Sequence, residues 1–498
     1  MRLLLFIGGI SLSGCAVGPN FHRPSPALPT HFTEKDLPDR TESTSGKDGS
    51  SQHFRSGADL PGQWWALYHA PALTRLVEIA INNNPGLTAA RNALRSAQEQ
   101  ALAQYSGLLP GVTGTFSRTR GNFPFASSGE PGLEESFGYY DAHLQLSYNF
   151  DVWGKTRRTI EQYRAAADFQ KAEFEATLLT LTGNVVATAI NIASLNAQIA
   201  QQEKLVTIEK KYLVTVLRQF ELGGATGSDV ALQRAQLAQQ QAELPLMRNQ
   251  LAQARHALAA YLGTMPALAQ LPRLDLDALT LPSNIPVSLP SSLLKQRPDL
   301  WQAEANLHEA TAGVGIAVAN RLPKFTLTAD LGSQAAMAGD LMTPGNGLAT
   351  LATQALTPLF QGGALLHQQR AAQAQMRQRA AQWQNTLLGA VKDVANALTQ
   401  LKYDAVELEA DVVREQAASR ALSLAQAQYQ LGGVSYLTVL TSETTYQSAV
   451  IALVQARAAR LSDTSALFVA LGGGWWNRRD LPAAPDDALR SLLPWSRS

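Results

Sequence analysis

One cysteine, Cys15, in 498 residues excludes an intrachain disulfide and any cysteine-based metal site. Charge is also scarce, with Asp, Glu, Lys and Arg at 16% of the chain against roughly 25% in ordinary soluble proteins. The 41 basic residues nearly cancel the 40 acidic ones, for a formal net charge of +1. That balance offers no electrostatic footprint for nucleic acid. Beyond the first dozen residues there is no unbroken apolar run of ~18 residues, so no stretch reads as a membrane-spanning helix. Strands of a membrane barrel remain open, because their hydropathy signal is weak. The eight histidines are scattered, without an H-x-x-x-H pair. No nucleophile elbow, Walker loop, HExxH or paired catalytic carboxylates in a Gly-rich setting occurs. Gly313-Val314-Gly315 falls in a helical stretch and lacks the rest of a dinucleotide fingerprint. The chain therefore does not read as an enzyme, and no metal or cofactor is expected.

What is present begins with an address. Met1-Arg2, an apolar stretch to Leu12 and Ser13-Gly14-Cys15 form a signal peptide over residues 1–14. L-S-G-C is similar to the bacterial lipobox, whose cysteine becomes the lipidated first residue. Cys15 is thus the lipidation site, and the only cofactor-like group expected is that covalent lipid. Ala16 rather than Asp follows it, which in lipoproteins favours delivery to the outer membrane. Each buried CH₂ of an acyl chain contributes about 0.8 kcal/mol. Residues 16–62, rich in Pro, Ser, Gly and charge, are expected to be an extended arm with little structure of its own.

The stretch Tyr140–Phe150 carries the sharpest pattern. Tyr140, Ala142, Leu144, Leu146, Tyr148 and Phe150 share one parity, and Asp141, His143, Gln145, Ser147 and Asn149 share the other. Only a strand separates those rows onto opposite faces. One such strand alone favours a half-buried strand of a soluble sheet; a membrane barrel, with lipid on one side and water on the other, needs support from the rest of the chain.

Taken in order, the chain repeats itself. Repeat 1 spans 63–265: a helix at Trp64–Asn83, a helix from Asn84-Pro85 to about Leu108, and strands at about 112–120 and 139–151 flanking a Gly/Pro loop. A Pro-free helix over 155–222, a Gly-Gly turn at 222–227 and a helix over 228–262 complete it. Thr226 and Asp229 suggest a capping box, and Pro245 suggests a kink. A Pro-rich linker covers 266–290. Repeat 2 spans 291–476: helix 298–321, strands at about 324–332 and 347–357, helix 364–431, turn 431–436 with a cap at Ser435, and helix 436–471. A tail covers 477–498. Pro85 and Pro298 lie 213 positions apart, and Leu222 and Leu431 lie 209 apart, so the copies are in near-constant register.

Two deductions follow. The two shorter helices of each repeat, laid end to end, nearly match the long one, which predicts an elongated antiparallel bundle with the Gly-Gly turns at one tip and the strands at the other. Four strands cannot close a barrel, and an open edge in lipid leaves backbone groups unpaired at several kcal/mol each. A membrane location therefore demands oligomerisation. Two copies give eight strands, whose interior side chains fill, so a conducting pore favours three copies and twelve strands.

This pattern resembles the TolC/OprM-type outer-membrane factors, in the lipoprotein (NodT-like) branch that serves tripartite efflux pumps. The resemblance rests on Cys15–Phe21 with Arg23-Pro24, Trp64-Trp65, Phe150–Lys155, Leu293–Leu300, Pro358–Gly363, Tyr429–Gly433 and Leu471–Trp475, in that order. It implies a mainly α fold with a small β part: a long α-helical barrel, with four strands per chain entering a trimeric twelve-stranded barrel. It implies a homotrimer that works with a periplasmic adaptor (membrane fusion) protein and an inner-membrane pump, lipid-anchored in the bacterial outer membrane, with no nucleic acid. The function expected is the exit duct for small molecules, gated at the periplasmic tip. The alternatives are the outer-membrane component of a type I protein secretion system and, in a different class, a coiled-coil periplasmic scaffold lipoprotein.

The resemblance also implies site residues. Gly223, Gly224, Gly432 and Gly433 mark the tips where adaptor hairpins dock. At the positions matching the family's gate stand Leu437, Thr438 and Thr441 in place of the usual aspartates, which argues for a Leu437 ring backed by hydroxyls over an acidic, cation-binding constriction. Glu443 reads as a solvated helix residue and Asp229 as the capping-box acid. Ala142, Leu144, Leu146 and Tyr148 are expected to face lipid, and Asp141, His143, Gln145, Ser147 and Asn149 the lumen. Trp153 with Tyr139, Tyr140 and Tyr148 fits either an aromatic girdle or buried packing.

Overall fold

The structure, a computed structural model, describes residues 16–33, 38–124 and 134–478. The proposed signal peptide, Cys15, part of the first Gly/Pro loop and nearly all of the tail lie outside the described residues.

Two copies of one motif run along the chain. In the first, α1 (Pro71–Asn83) and α2 (Pro85–Gln104) lead to β2 (Gly111–Pro124) and β3 (Glu134–Phe150), then to α3 (Lys155–Glu221) and α4 (Gly227–Tyr261). In the second, α5 (Pro290–Gln296) and α6 (Pro298–Ala319) lead to β5 (Lys324–Ala335) and β6 (Gly347–Leu356), then to α7 (Ala364–Gln430) and α8 (Tyr436–Ala470). The helices α3 and α7 have 67 residues each, about 100 Å at ~1.5 Å per residue. One 18-residue window of α3 is apolar enough to cross a membrane by composition, but 61% of it is buried in the bundle, so α3 is a core helix.

The two short helices of each repeat do stack end to end, and the junctions are built alike. The Asn84 side chain donates to the carbonyl of Tyr261 at the end of α4, at 2.9 Å. The Arg297 side chain donates to the carbonyl of Ala470 at the end of α8, at 3.0 Å. Gly263 and Gly472, just past those helix ends, have positive φ, and a Cβ on either would come within 2.4 Å of the Asn83 or Gln296 carbonyl oxygen. The register seen in the sequence thus reflects two equivalent helix-to-helix seats. Asn84 also caps α2, accepting from Gly86 and Leu87.

The four long strands form one antiparallel sheet in the order β2-β3-β5-β6. Its register puts Val112, Leu146, Ala329 and Leu351 in one row, and Gly114, Leu144, Leu331 and Ala349 in the next. Among the described residues nothing covers that face: Val112, Leu144, Leu331 and Leu351 are 65%, 55%, 65% and 75% exposed. The opposite face carries Thr115, His143, Gly332 and Leu348 in one row, and Thr113, Gln145, Asp330 and Thr350 in the next, so it is polar apart from Leu348 in these rows. Gly332 has no side chain because His143 occupies that space; a Cβ there would lie 2.4 Å from the His143 Cβ. β2 and β6 each have one unpaired edge.

Two expectations need correction. The helix expected over Trp64–Asn83 breaks at His69, which is left-handed (φ 50°), leaving a 3-10 turn at Trp64–Tyr68 before Pro71 starts α1. The arm is not structureless, since β1 (His53–Ser56) pairs in parallel with β4 (Asn284–Val287) from the expected linker. Leu60, Leu274, Leu276, Leu279, Leu281 and Ile285 from these two segments sit in the main core with Trp64, Tyr68 and Phe468. Pro245 lies inside α4, as expected, and the helix runs through it, Gly227–Tyr261.

A pair of substitutions tests the two faces of the sheet. Leu144→Lys should block assembly into the membrane fraction, whereas Gln145→Lys should assemble at about the normal level, read by membrane fractionation and immunoblot. Equal tolerance at both positions contradicts the two-faced sheet.

Candidate functional site

The residues singled out in the sequence fall into three places along the bundle. At the sheet, Ala142, Leu144, Leu146 and Tyr148 share the uncovered apolar face. Asp141, His143, Gln145, Ser147 and Asn149 share the polar one. His143 and Asp141 pair on that face, Nδ1 to Oδ2 at 2.7 Å, and Thr326 donates to Asn149 at 2.9 Å. Aromatic rings gather near both ends of the apolar rows: Phe116 and Tyr140 at one end (centroids 6.4 Å), Tyr148 and Phe150 at the other (5.0 Å). From Tyr140 to Phe150 the strand spans about 34 Å. At a barrel tilt of ~40–45° that is a band roughly 25 Å tall, the height of a lipid-facing belt. Trp153 donates to the Pro323 carbonyl at 2.8 Å and is half-buried, so it braces the sheet base through that bond.

The sheet joins the helices through a tight corner. Asp151 accepts from the Thr156 and Arg157 backbone N–H groups at 2.8 and 3.1 Å and from the Arg157 side chain, which caps α3 after left-handed Gly154. The arm is tied to the same corner. Val17 N–H donates to the Trp153 carbonyl at 3.0 Å, and Ala16 packs against Gly154. Buried Arg158 reaches the carbonyls of Val17 and Gly18 and the Asn20 side chain, the last at 2.7 Å. Gly18 lies against Gly315, where no Cβ fits on either. Gly315 therefore serves close packing of Gly18 and of the Arg158 side chain, whereas open space surrounds Gly313. Phe21 stacks on His308 (4.2 Å, 16°), and Arg23 pairs with Glu304 at 2.7 Å.

At the far end both tip turns are Schellman motifs. Gly224 N–H bonds the Gln219 carbonyl and Gly223 the Phe220 carbonyl. Gly433 bonds Gln428, and Gly432 bonds Tyr429. Only Gly223 and Gly432 have positive φ, and open space surrounds both. Beside them Leu222 and Leu431 are 73% and 88% exposed. The capping box of Thr226 and Asp229 is complete, and its hydrogen bonds hold the Asp229 carboxyl below its ordinary range. Ser435 stands at the equivalent N-cap, but its side chain makes no capping bond to the backbone.

Leu437, Thr438 and Thr441 are exposed on α8, and each threonine is positioned one helical turn before a hydroxyl-bearing neighbour, Ser442 or Thr445, that bonds back to it. Glu443 is not solvated. It is 2% exposed and is turned toward α3. Sequence reasoning also missed its counterpart Glu209, as well as the buried polar seats at mid-bundle. There Arg460 is fully buried, donating to the Asp48 and Ser50 carbonyls and to Thr41 of the arm. Asp404 of α7 meets Asp463 of α8, and burial first, with the neighbouring Asp463 second, pushes the Asp404 carboxyl up to about 7. Gln400 donates to Asp404 Oδ1 at 2.8 Å, and the Asp463 carboxyl hydrogen-bonds the Asp404 carboxyl.

Comparison with known proteins gives one family throughout. A family model described as outer membrane efflux protein matches residues 76–264 and 289–473. The pyoverdine export outer membrane protein OpmQ of Pseudomonas aeruginosa is 32% identical over 451 residues, covering 87% of this chain and 91% of that protein. The probable outer membrane lipoprotein SilC of Salmonella typhimurium is 27% identical, covering 95% and 99%. The CmeC outer membrane channel of Campylobacter jejuni has the same fold, with a TM-score of 0.82 at 21% identity, over 96% of this chain and 98% of that one.

The Asp404–Asp463 pair predicts a pH dependence. A carboxyl whose folded pKa lies above its unfolded value of 3.8 stabilises the fold fully below that value, and the contribution is lost as pH rises toward about 7. Asp404→Asn should therefore melt like the wild type at pH 4 and at a higher temperature than the wild type at pH 8. The same melting difference at both pH values would contradict the protonated pair.

Proposed function

The chain belongs to the outer membrane efflux protein family, and on that premise we propose that three copies build one conduit through the outer membrane and on into the periplasm. The protein is an outer-membrane channel of an efflux system and not an enzyme. The observation that carries the trimer is the unclosed sheet: four strands, two open edges, one uncovered apolar face and one polar face. Pairing β2 of one copy with β6 of the next closes twelve strands, satisfies every edge, turns the apolar rows to lipid and gives Asp141, His143, Gln145, Ser147 and Asn149 a watery lumen. The tyrosines at 140 and 148 then belong to the aromatic girdles.

Below the sheet, the long helices would continue as a helical barrel. The lipid on Cys15 fits the fixing of Ala16 and Val17 to the sheet–helix corner, where the membrane surface would lie. The lipoprotein relative supports the same reading. Small molecules are the proposed cargo, in keeping with the pyoverdine exporter among the relatives. At the other end, the exposed Leu222 and Leu431 beside the Gly turns offer the adaptor an apolar landing on each tip. Leu437, Thr438 and Thr441 are the proposed constriction, with the inner-membrane pump beyond it.

Gly432→Trp tests the tip. Open space surrounds Gly432, and its left-handed φ costs a side chain about 1–2 kcal/mol at one exposed turn, so trimer and membrane level should stay close to normal, while export by the complete pump should fall to that of the knockout; normal export would contradict adaptor contact there. The purified wild type should conduct ions across a planar lipid bilayer, and a bilayer that stays silent would contradict the channel. Metabolic palmitate labelling should mark the wild type and not Cys15→Ser.

A further inference from the structure

Near the tips the two hairpins, α3–α4 and α7–α8, are tied together by polar groups centred on two buried carboxyls. Glu209 of α3 is 0% exposed and Glu443 of α8 is 2% exposed. From α4, Gln233 donates to the Glu209 carboxyl and, at 3.2 Å, to its main-chain carbonyl. Tyr436 of α8 donates in turn to Gln233. Gln447 donates to Glu443 Oε1 at 3.0 Å and also faces Glu209. The Tyr212 hydroxyl of α3 hydrogen-bonds Glu443 and accepts from Gln426 of α7 at 2.7 Å. Glu209 Oε1 has no partner. The buried apolar cluster nearby, Leu422, Ala425 and Val439, lies within the second hairpin, and the Tyr212 and Tyr436 rings meet across the two hairpins at 6.4 Å.

The groups that face the pair are Gln233 from α4, Tyr212 from α3, Tyr429 from α7, and Tyr436, Tyr446 and Gln447 from α8. Glu415 of α7 stands beyond Tyr446. No lysine or arginine is among the groups that shift either carboxyl. Two carboxylates cannot both stay ionised when buried side by side without a cation.

We propose that Glu209 and Glu443 form a protonation latch between the hairpins: the tips stay packed while at least one carboxyl is neutral, and they separate when both ionise. Burial pushes both carboxyls above their ordinary range, and Glu443 pushes Glu209 further. The packed arrangement is then fully favoured below the ordinary carboxyl pKa and loses that support as pH rises through the raised values. Acid holds the tips together and alkali releases them. Each proton so linked changes the packed-to-released ratio by up to about tenfold per pH unit. The functional meaning of the latch rests on the proposed reading of the tips as the gated end.

Hydrogen exchange of the tip segments 205–240 and 425–450, in the full-length protein in lipid, tests this between pH 5 and pH 8, with the intrinsic pH dependence divided out. The wild type should lose about tenfold or more of its protection across that range, and E209Q/E443Q should stay protected throughout. Y436F, which removes a hydrogen bond and no charge, should exchange faster at every pH with the slope kept. Protection in the wild type that does not fall with pH, or a slope that persists in E209Q/E443Q, overturns the latch. The wild-type measurement alone exposes the proposal, whatever the variants do. Exchange reports on the tips whether or not the protein conducts, so this inference and the channel reading fail separately.

Discussion

The structure depends on one constraint: backbone hydrogen-bonding groups cannot be left unpaired in hydrocarbon. β2 and β6 each present an open edge, and a ten-residue edge such as β6 leaves on the order of ten such groups, at several kcal/mol each. The side chains say that the sheet nevertheless belongs in lipid, because its apolar rows are left uncovered by the rest of the described residues. Both facts hold together only if further copies complete the sheet. On the proposed assembly, the long helices that follow each strand pair would continue the tube that the strands begin.

The internal repeat solves the geometry of those helices. Each repeat spans the length of a 67-residue helix with two shorter ones, and the joint between them must be as firm as continuous helix. Asn84 and Arg297 do the same work at equivalent positions, each bonding the carbonyl at the end of the incoming helix. The residue types differ because the surroundings differ. Arg297 also pairs with Asp299 at 2.7 Å and reaches Asp393 of α7, so the second joint is tied to a third helix. At mid-bundle the arm and the 266–290 segment clasp α8 through Arg457 and Arg460, a belt around the thickest part of the core.

The elements legible in the sequence were those whose signal is local. The alternation at Tyr140–Phe150 fixed a strand and its two faces, and the absence of proline between Lys155 and Leu222 fixed a helix to within a residue. The Gly-Gly turns announced themselves, because Gly223 and Gly432 need positive φ. What stayed hidden depends on partners far along the chain. Nothing in T-S-E-T-T-Y-Q-S distinguishes Glu443 from a solvated acid, since Tyr212 and Glu209 that bury it lie more than 200 positions away. Likewise the Ser- and Gly-rich arm looks unstructured until Asp48 meets Arg457 and Gln52 meets Thr464. Pro71 marks the break at His69, but the apolar periodicity runs across it and hides the left-handed turn between the two segments.

Closure of the sheet between copies can be measured directly. One cysteine at Thr115 on β2, combined in the same chain with one at Leu348, Thr350 or Ala352 on β6, samples the registers in which neighbouring copies would pair. On oxidation in membranes, one of these combinations should yield a covalently closed trimer as the largest species on a denaturing gel. Dimers as the largest species, or monomers alone in every combination, would contradict a twelve-stranded barrel made from three chains.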